Sequence, residues 1–244
     1  FAAFFGKEAY LRLRGVRAAD YLPAGISAAL VFILNNIALN MTSATNVGFI
    51  MSLPVVIAPL MAVPILKRRY DIGHLPVQLG ALGGIYLLCC SGGELRLNAG
   101  DLIVLLSTVC WAASLAYSER SLANIDAASV TLVQITATAL MSFVCAVIFD
   151  RSASPSAVKP AAWMVVVYLA VTCRCLGFML QNLALRRTSS AAVALLQTMQ
   201  PIMTTAAAWM LLGERLDFVG MAGAAVIIIC IVAEVYVSGK TASA

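Results

Sequence analysis

The sequence predicts an all-α integral membrane protein, a multi-helix bundle, and three observations carry that prediction. Of its 244 residues 62% are hydrophobic and only 11% charged, against about a quarter charged in soluble domains. The apolar residues gather into eight runs of membrane-spanning length, and part of the chain repeats internally. A soluble chain of this length would still need charge to cover its outside, and too little is present, so the solvent for most of the surface is lipid.

Crossing the hydrocarbon core takes about 20 mostly apolar residues, and helices are required because an unpaired backbone group in hydrocarbon costs several kcal/mol. Run 21–41 begins after Asp20, and run 45–66, with Pro54, Pro59 and Pro64, stops at Lys67, Arg68 and Arg69. Run 72–91 carries Gly80, Gly83 and Gly84, residues suited to close helix packing, as are Gly220 and Gly223 further on. Run 99–118 ends at Glu119 and Arg120, 126–149 at Asp150 and Arg151, and 161–185 at Arg186 and Arg187. The last two, 189–212 and 217–237, are separated by the Gly213-Glu214-Arg215 turn. Short polar connectors make successive helices antiparallel neighbours and leave no segment for a separate soluble domain.

Several function classes drop out. The net charge of +5 is spread in short clusters between apolar runs and makes no basic stripe, which argues against nucleic acid. All seven cysteines lie in or at the ends of apolar runs, where cysteine behaves as a small hydrophobe. Zinc takes about four ligands, so the Cys173-x-Cys175 pair is not a metal site when the single histidine, His74, stands in a distant connector. A membrane enzyme needs a nucleophile with its base, or paired carboxylates, at membrane depth. The eleven acidic residues instead sit near helix ends, Glu234 among them. No cofactor is called for.

Residues 32–43, FILNNIALNMTS, align with residues 178–189, FMLQNLALRRTS, and seven of the twelve positions are identical. One inserted residue later the register continues, pairing Ala44 with Ala191, Pro54 with Pro201, Arg68 with Arg215, Gly73 with Gly220, and Ser91-Gly92 with Ser238-Gly239. The second copy extends upstream through runs 99–118 and 126–149. The repeat unit is therefore five helices: residues 1–92 hold helices 3 to 5 with the tail of helix 2, and residues 93–244 hold helices 6 to 10. Phe1 to Phe5, running into Lys7, read as that tail, so the expectation is ten helices with the first one to two absent from this chain.

An odd number of spans per copy inverts one copy relative to the other, and cytoplasmic loops collect Lys and Arg. Placing residues before 21 in the cytoplasm puts Lys7, Arg12, Arg14, Arg17, Lys67, Arg68, Arg69, Arg120, Arg186, Arg187 and Lys240 inside. Only Arg96, Arg151, Lys159 and Arg215 fall outside, and the C-terminus is cytoplasmic. Inverted halves supply two nearly equivalent packings, one open to each side, with a binding site between them near the midplane. Duplication that merely lengthened a bundle is the alternative.

The stretch LQNLALRRTSSAAVALLQTMQPIMTTAAAWMLLGERLDFVGMAGAAVIII, residues 180–229, resembles the second half of EamA-type proteins of the drug/metabolite transporter superfamily. Gln181, Ala184, Ala191, Pro201, the Gly213-Glu214-Arg215 turn and Gly220 carry the resemblance; Ala44, Pro54 and Arg68 echo it in copy one, and GDLIVLLSTVCWAASLAYSERSL looks like that family's sixth helix. The resemblance implies ten helices in two inverted five-helix halves, and a multi-pass permease of the cytoplasmic membrane exporting metabolites, amino acids or drugs. It leaves a channel-like pore or a transport-incompetent truncated fragment as alternatives, and homodimerisation as a way to close the cavity. Copy one departs from the pattern at Lys67, where the turn would put Glu. Arg174 departs too, at a position where the family usually has a small or hydroxylated residue.

Arg174 stands near the middle of run 161–185, where an arginine costs about 2.5 to 3.5 kcal/mol on insertion scales. It is a candidate anion or counter-ion site in the substrate pathway, or a donor to backbone carbonyls and buried amides. The neutral amides Asn35, Asn36, Asn46, Gln134, Gln181, Asn182, Gln197 and Gln200 are too polar for lipid and divide between substrate contact and interhelical hydrogen bonds. Pro201, just after Gln200, frees a backbone carbonyl. Pro54, Pro59 and Pro64, five apart in one run, suit either a gating kink or plain packing. Trp111, central in its run, is either a stacking surface for a substrate ring or a core aromatic.

Overall fold

A computed structural model describes residues 11–42, 44–67, 72–90, 98–149, 159–203, 210 and 218–241. Among these residues the fold is entirely helical, with no strand. The helices are α1 (Leu22–Leu39), α2 (Ala44–Ile50), α3 (Pro54–Leu66), α4 (Leu75–Cys90), α5 (Ala99–Leu122) and α6 (Ala127–Phe149). They continue with α7 (Pro160–Leu169), a π-helical turn (Ala170–Leu176), α8 (Gly177–Leu185), α9 (Ser190–Gln197) and α10 (Phe218–Thr241).

Five of the eight predicted runs are helices long and apolar enough to cross a bilayer: Leu22–Leu39, Val47–Leu66, Ala99–Leu122, Ala127–Phe149 and Ala161–Leu185. The expectation of eight is corrected to five among the described residues. Run 72–91 is described as a 3₁₀ turn, Ile72–His74, leading into the 16-residue helix Leu75–Cys90. Run 189–212 is helical over Ser190–Gln197, turns at Thr198 and resumes at 199–203, and the last run forms the 24-residue helix α10.

Local chemistry accounts for the boundaries. Asn98 and Asp101 cap α5 reciprocally: the Asp101 N–H donates to Asn98 Oδ1 (3.2 Å) and the Asn98 N–H to Asp101 Oδ2 (2.7 Å). Asp126 caps α6 by accepting from the Ser129 N–H (3.2 Å) and hydroxyl (2.7 Å). Pro54 and Pro160 occupy the first turns of α3 and α7, where a missing N–H is harmless. The helix breaks at residues 51–53, directly before Pro54, then runs on through Pro59 and Pro64 to Lys67, which ends it in the left-handed region at φ 55. At the break the Leu53 N–H turns back to the Ile50 carbonyl (3.1 Å), which also lies 3.2 Å from the Thr108 hydroxyl, itself shared with the closer Val104 carbonyl (2.8 Å). That carbonyl is the one Pro54 cannot serve. The turn at Thr198 lies at the same place relative to Pro201, with its N–H on the Leu195 carbonyl (2.9 Å).

The chain divides into two compact units, residues 1–33 with 113–189, and 34–112 with 190–244. Each unit draws on both copies of the repeat. In the first, a Cβ on Gly25 of α1 would lie 2.9 Å from Val133 Cγ1 and 3.2 Å from the Ala137 Cβ of α6, so only glycine permits the approach. The Ser114 hydroxyl donates to the Ala24 carbonyl (3.2 Å) and Ser121 to that of Asp20, while Arg12 pairs with Asp126 at 3.4 Å. Apolar side chains on the outer half of α6 (Leu140, Phe143, Val147, Phe149) and along α7 (Trp163 to Leu169) are exposed, as lipid-facing residues are.

In the second unit α4 packs on α10. A Cβ on Gly80 would meet Cys230 Sγ at 2.8 Å, and one on Gly84 would meet the Gly223 carbonyl and Ile227, each at 2.9 Å. Four residues forward in α4 correspond to three to seven backward in α10, so the two helices run antiparallel. Ile85 and Ile227 form a buried pair there, and Val55 of α3, Ala81 of α4, Leu195 of α9 and Cys230 of α10 form another cluster.

Candidate functional site

The polar side chains singled out in the sequence gather in two groups, one in each unit. In the first unit, Asn182 of α8 donates to Thr131 Oγ1 (2.9 Å) and to Gln134 Oε1 (2.8 Å) of α6, and Gln134 Nε2 donates to the Ser118 hydroxyl of α5 (2.9 Å). Asn182, Thr131, Gln134 and Ser118 are all fully buried. They tie three helices together in a medium where an unpaired amide has no water to turn to. One atom of the network, Asn182 Oδ1, is enclosed and has no hydrogen-bond partner among the described residues.

Arg174 belongs to the same unit and lies in the π-helical turn. Its guanidinium carbon sits 3.3 Å from the centroid of the Phe32 ring, a cation–π stack. Phe32 in turn meets Phe178 edge to face, with centroids 6.1 Å apart and planes at 89°. Gln181 is half-buried nearby in sequence. Neither phenylalanine was singled out from the sequence, although the signal existed: they occupy the same position in the two copies of the repeat.

In the second unit, the Trp111 indole N–H donates to Gln197 Oε1 at 2.9 Å, joining α5 to α9. Asn35 Nδ2 approaches Met51 Sδ at 3.5 Å, and Thr108 Oγ1 reaches the same sulfur at 3.5 Å and Ser107 Oγ at 4.0 Å. A thioether is a weak acceptor, and these approaches gather at the break between α2 and α3, with the Thr108 hydroxyl held more closely by the Val104 carbonyl at 2.8 Å. Asn35 Oδ1 is enclosed without a hydrogen-bond partner among the described residues. Asn36 is exposed, its carbonyl accepting from Asn40 Nδ2 at 3.1 Å. Gln200 and Pro64 are exposed, Pro201 is half-buried, and Pro54 and Pro59 are buried. The side chain of Asn46 lies outside the described residues. Ser107, Ser114, Ser118 and Ser121, all buried on α5, escaped the sequence reading despite spacings of seven, four and three that set them on one helical face.

Among the described residues no three His, Cys, Asp or Glu side chains gather as metal ligands. Among the described residues the arrangement offers neither a nucleophile with a base nor paired carboxylates. It offers amides, hydroxyls, aromatic faces and one guanidinium inside a membrane-embedded helix bundle.

Comparison with known proteins agrees with that chemistry. The profile of the EamA-like transporter family matches residues 98–234, more than half of the chain. An uncharacterized transporter of Archaeoglobus fulgidus is 32% identical over 104 residues, a stretch covering 43% of this chain and 33% of that protein. A solved crystal structure shares the fold at TM-score 0.72, over 97% of this chain and 93% of that one, with 15% sequence identity.

Proposed function

The chain belongs to the EamA-like transporter family, of the drug/metabolite transporter superfamily, whose members are membrane transporters and not enzymes, and from that premise we propose a secondary transporter working by alternating access between inverted repeats. It moves a small metabolite, amino acid or drug across the cytoplasmic membrane, as an exporter, with its C-terminus in the cytoplasm.

One observation carries the alternating-access part. The repeat equates residues 73–92 with 220–239, that is, α4 with α10, and those two helices cross antiparallel through Gly80, Gly84, Gly223 and Cys230. Copies inserted in the same direction would make equivalent helices parallel, whereas inverted copies make them antiparallel. The Phe32–Phe178 contact supports the same reading, because a residue touches its own equivalent only close to a two-fold axis. So do the turns before Pro54 and Pro201, which give each copy a discontinuous helix of the kind that lines transport sites.

The candidates for substrate contact in this reading are Arg174 and Gln181 in the first unit and Asn35, Trp111, Gln197 and Gln200 in the second, with Pro54 and Pro201 at the hinges. Gln134 and Asn182, sealed in their network, hold helices in place for it. The test is labelling of single cysteines placed at Arg68 and at Arg215 in an otherwise cysteine-free protein. Opposite sides of the membrane are expected, and labelling from one side would end the inverted-repeat reading. Flux in proteoliposomes separates carrier from pore: saturation with rising solute is expected, and strictly linear flux would replace the carrier with a channel.

A further inference from the structure

We infer that the transported solute binds through a single carboxylate, held by Arg174 on its Phe32 platform. The inference rests on the transporter reading above and adds the chemical class of its cargo.

Arg174 is thirteen residues from Ala161 and eleven from Leu185, the ends of its span, which at 1.5 Å per residue is about 16 to 20 Å from either surface. A lipid phosphate is beyond the reach of its side chain. An arginine at that depth is retained against a cost of about 2.5 to 3.5 kcal/mol and calls for a partner. The partner is not a protein carboxylate: among the described residues the acids of this unit are Asp20, Glu119 and Asp126, all at helix ends. Nor does the guanidinium hydrogen-bond to any described carbonyl or amide; its carbon lies 3.3 Å from the centroid of the Phe32 ring.

Stacking covers one face of the guanidinium plane and leaves its five N–H groups pointing outward in the plane, the geometry that takes a carboxylate through two parallel hydrogen bonds. The edge contact of Phe178 fixes the Phe32 ring, so the platform is set before the solute arrives. The π-helical turn Ala170–Leu176 carries the arginine, and such turns recur at functional sites because the widened backbone re-aims one side chain. The charge count selects among anions. Every other described Lys or Arg lies at or beyond a helix end, so the site neutralises one negative charge, and a phosphate dianion would keep one charge unpaired in a low-dielectric setting. The equivalent position in the first copy is Ala28, fully buried, so the site is single and not doubled by the repeat.

The experiment uses the purified full chain, phenylglyoxal as a guanidinium reagent, and peptide mass spectrometry to follow Arg174 alongside the exposed Arg186. Phenylacetate, phenylethylamine and phenyl phosphate share a ring and differ in charge. Phenylacetate at about ten times its dissociation constant is expected to slow modification of Arg174 about tenfold, leaving Arg186 unchanged, while phenylethylamine does nothing and phenyl phosphate protects weakly. Equal rates with all three, or an Arg174 that never reacts while Arg186 does, overturns the inference. Protection strongest with phenyl phosphate overturns its single-charge part. Saturable proteoliposome flux of phenylethylamine but not phenylacetate would also overturn it while leaving a transporter. Linear flux of every probe would overturn the carrier reading, and Arg174 protection, read separately, would still report on the anion site.

Discussion

Replacing Gly84 with alanine tests whether the α4–α10 crossing is as tight as the backbone places it. The new Cβ would stand 2.9 Å from the Gly223 carbonyl oxygen, 2.9 Å from Ile227 Cγ1 and 3.1 Å from the Ile227 amide nitrogen. Two of these three neighbours are backbone atoms that no rotamer change can move. Restoring an ordinary contact of about 3.4 Å requires the helices to part by about 0.5 Å, a strain in the range of 1 to 3 kcal/mol for overpacked cores. Alanine also removes the conformational penalty of glycine in a helix, roughly 0.5 to 1 kcal/mol in the opposite direction. Gly83→Ala gains that second contribution without the first, since nothing lies within 4 Å of its added Cβ. The difference between the two variants therefore isolates the clash. Thermal unfolding of both proteins in detergent should leave Gly83→Ala at or slightly above the wild type. Gly84→Ala should fall below Gly83→Ala by about 1 to 3 kcal/mol, about 3 to 10 °C for a chain of this size. Equal melting of the two variants would refute the close crossing, and with it the main support for antiparallel equivalent helices.

Three further expectations follow from single contacts. Asn182→Leu removes the donor to Thr131 and Gln134 and strands a buried acceptor, so it should lower stability by about 1 to 2 kcal/mol in the same melt, whereas Asn36→Leu, at an exposed position, should change it little. Thr108→Val keeps the volume but removes a hydroxyl whose single proton is shared between the Val104 carbonyl (2.8 Å) and the Ile50 carbonyl (3.2 Å), the latter already served by the Leu53 N–H; a loss of no more than about 1 kcal/mol is expected in the same melt, and a larger one would contradict that sharing. For Asp126, burial pushes its carboxyl up, but the Ser129 hydroxyl, the Ser129 N–H and the Arg12 charge together outweigh that and hold it below the usual carboxylate range. A depressed value means its contribution is present above the ordinary carboxylate pKa and is lost as pH falls through the folded one. The stability gap between wild type and Asp126→Asn should therefore be constant near neutrality and close only in strong acid, and a gap that widened on acidification would contradict the caps at Ser129 and Arg12.

Much of the site was legible as a parts list and little of it as an assembly. Arg174, Gln134, Asn182, Trp111 and Gln197 stood out because a polar group inside an apolar run is conspicuous in one dimension. Their partners did not, because Thr131, Ser118 and Thr108 are ordinary helix residues until a neighbour's amide or carbonyl faces them. Pro54, Pro59 and Pro64 suit either a gating kink or plain packing in the sequence, and the helix assignment is interrupted at residues 51–53, directly before Pro54. Run 72–91 stands among the eight runs by composition, and its described helix, Leu75–Cys90, holds 16 residues.

The amino-acid order alone decided that the chain lives in lipid and which apolar runs form its helices, and it carries the likeness between residues 32–43 and 178–189. Those properties depend on composition and on spacing along the chain, and hydrocarbon permits few other backbone conformations. Only the tertiary structure decided that Gly84 meets a backbone while Gly83 meets nothing, that Asn182 turns to Gln134, and that Phe32 lies beneath Arg174. Each depends on how far a helix is rotated about its own axis and on which neighbour it packs against. A rotation of 100° per residue leaves a one-residue difference in sequence with opposite surroundings in space.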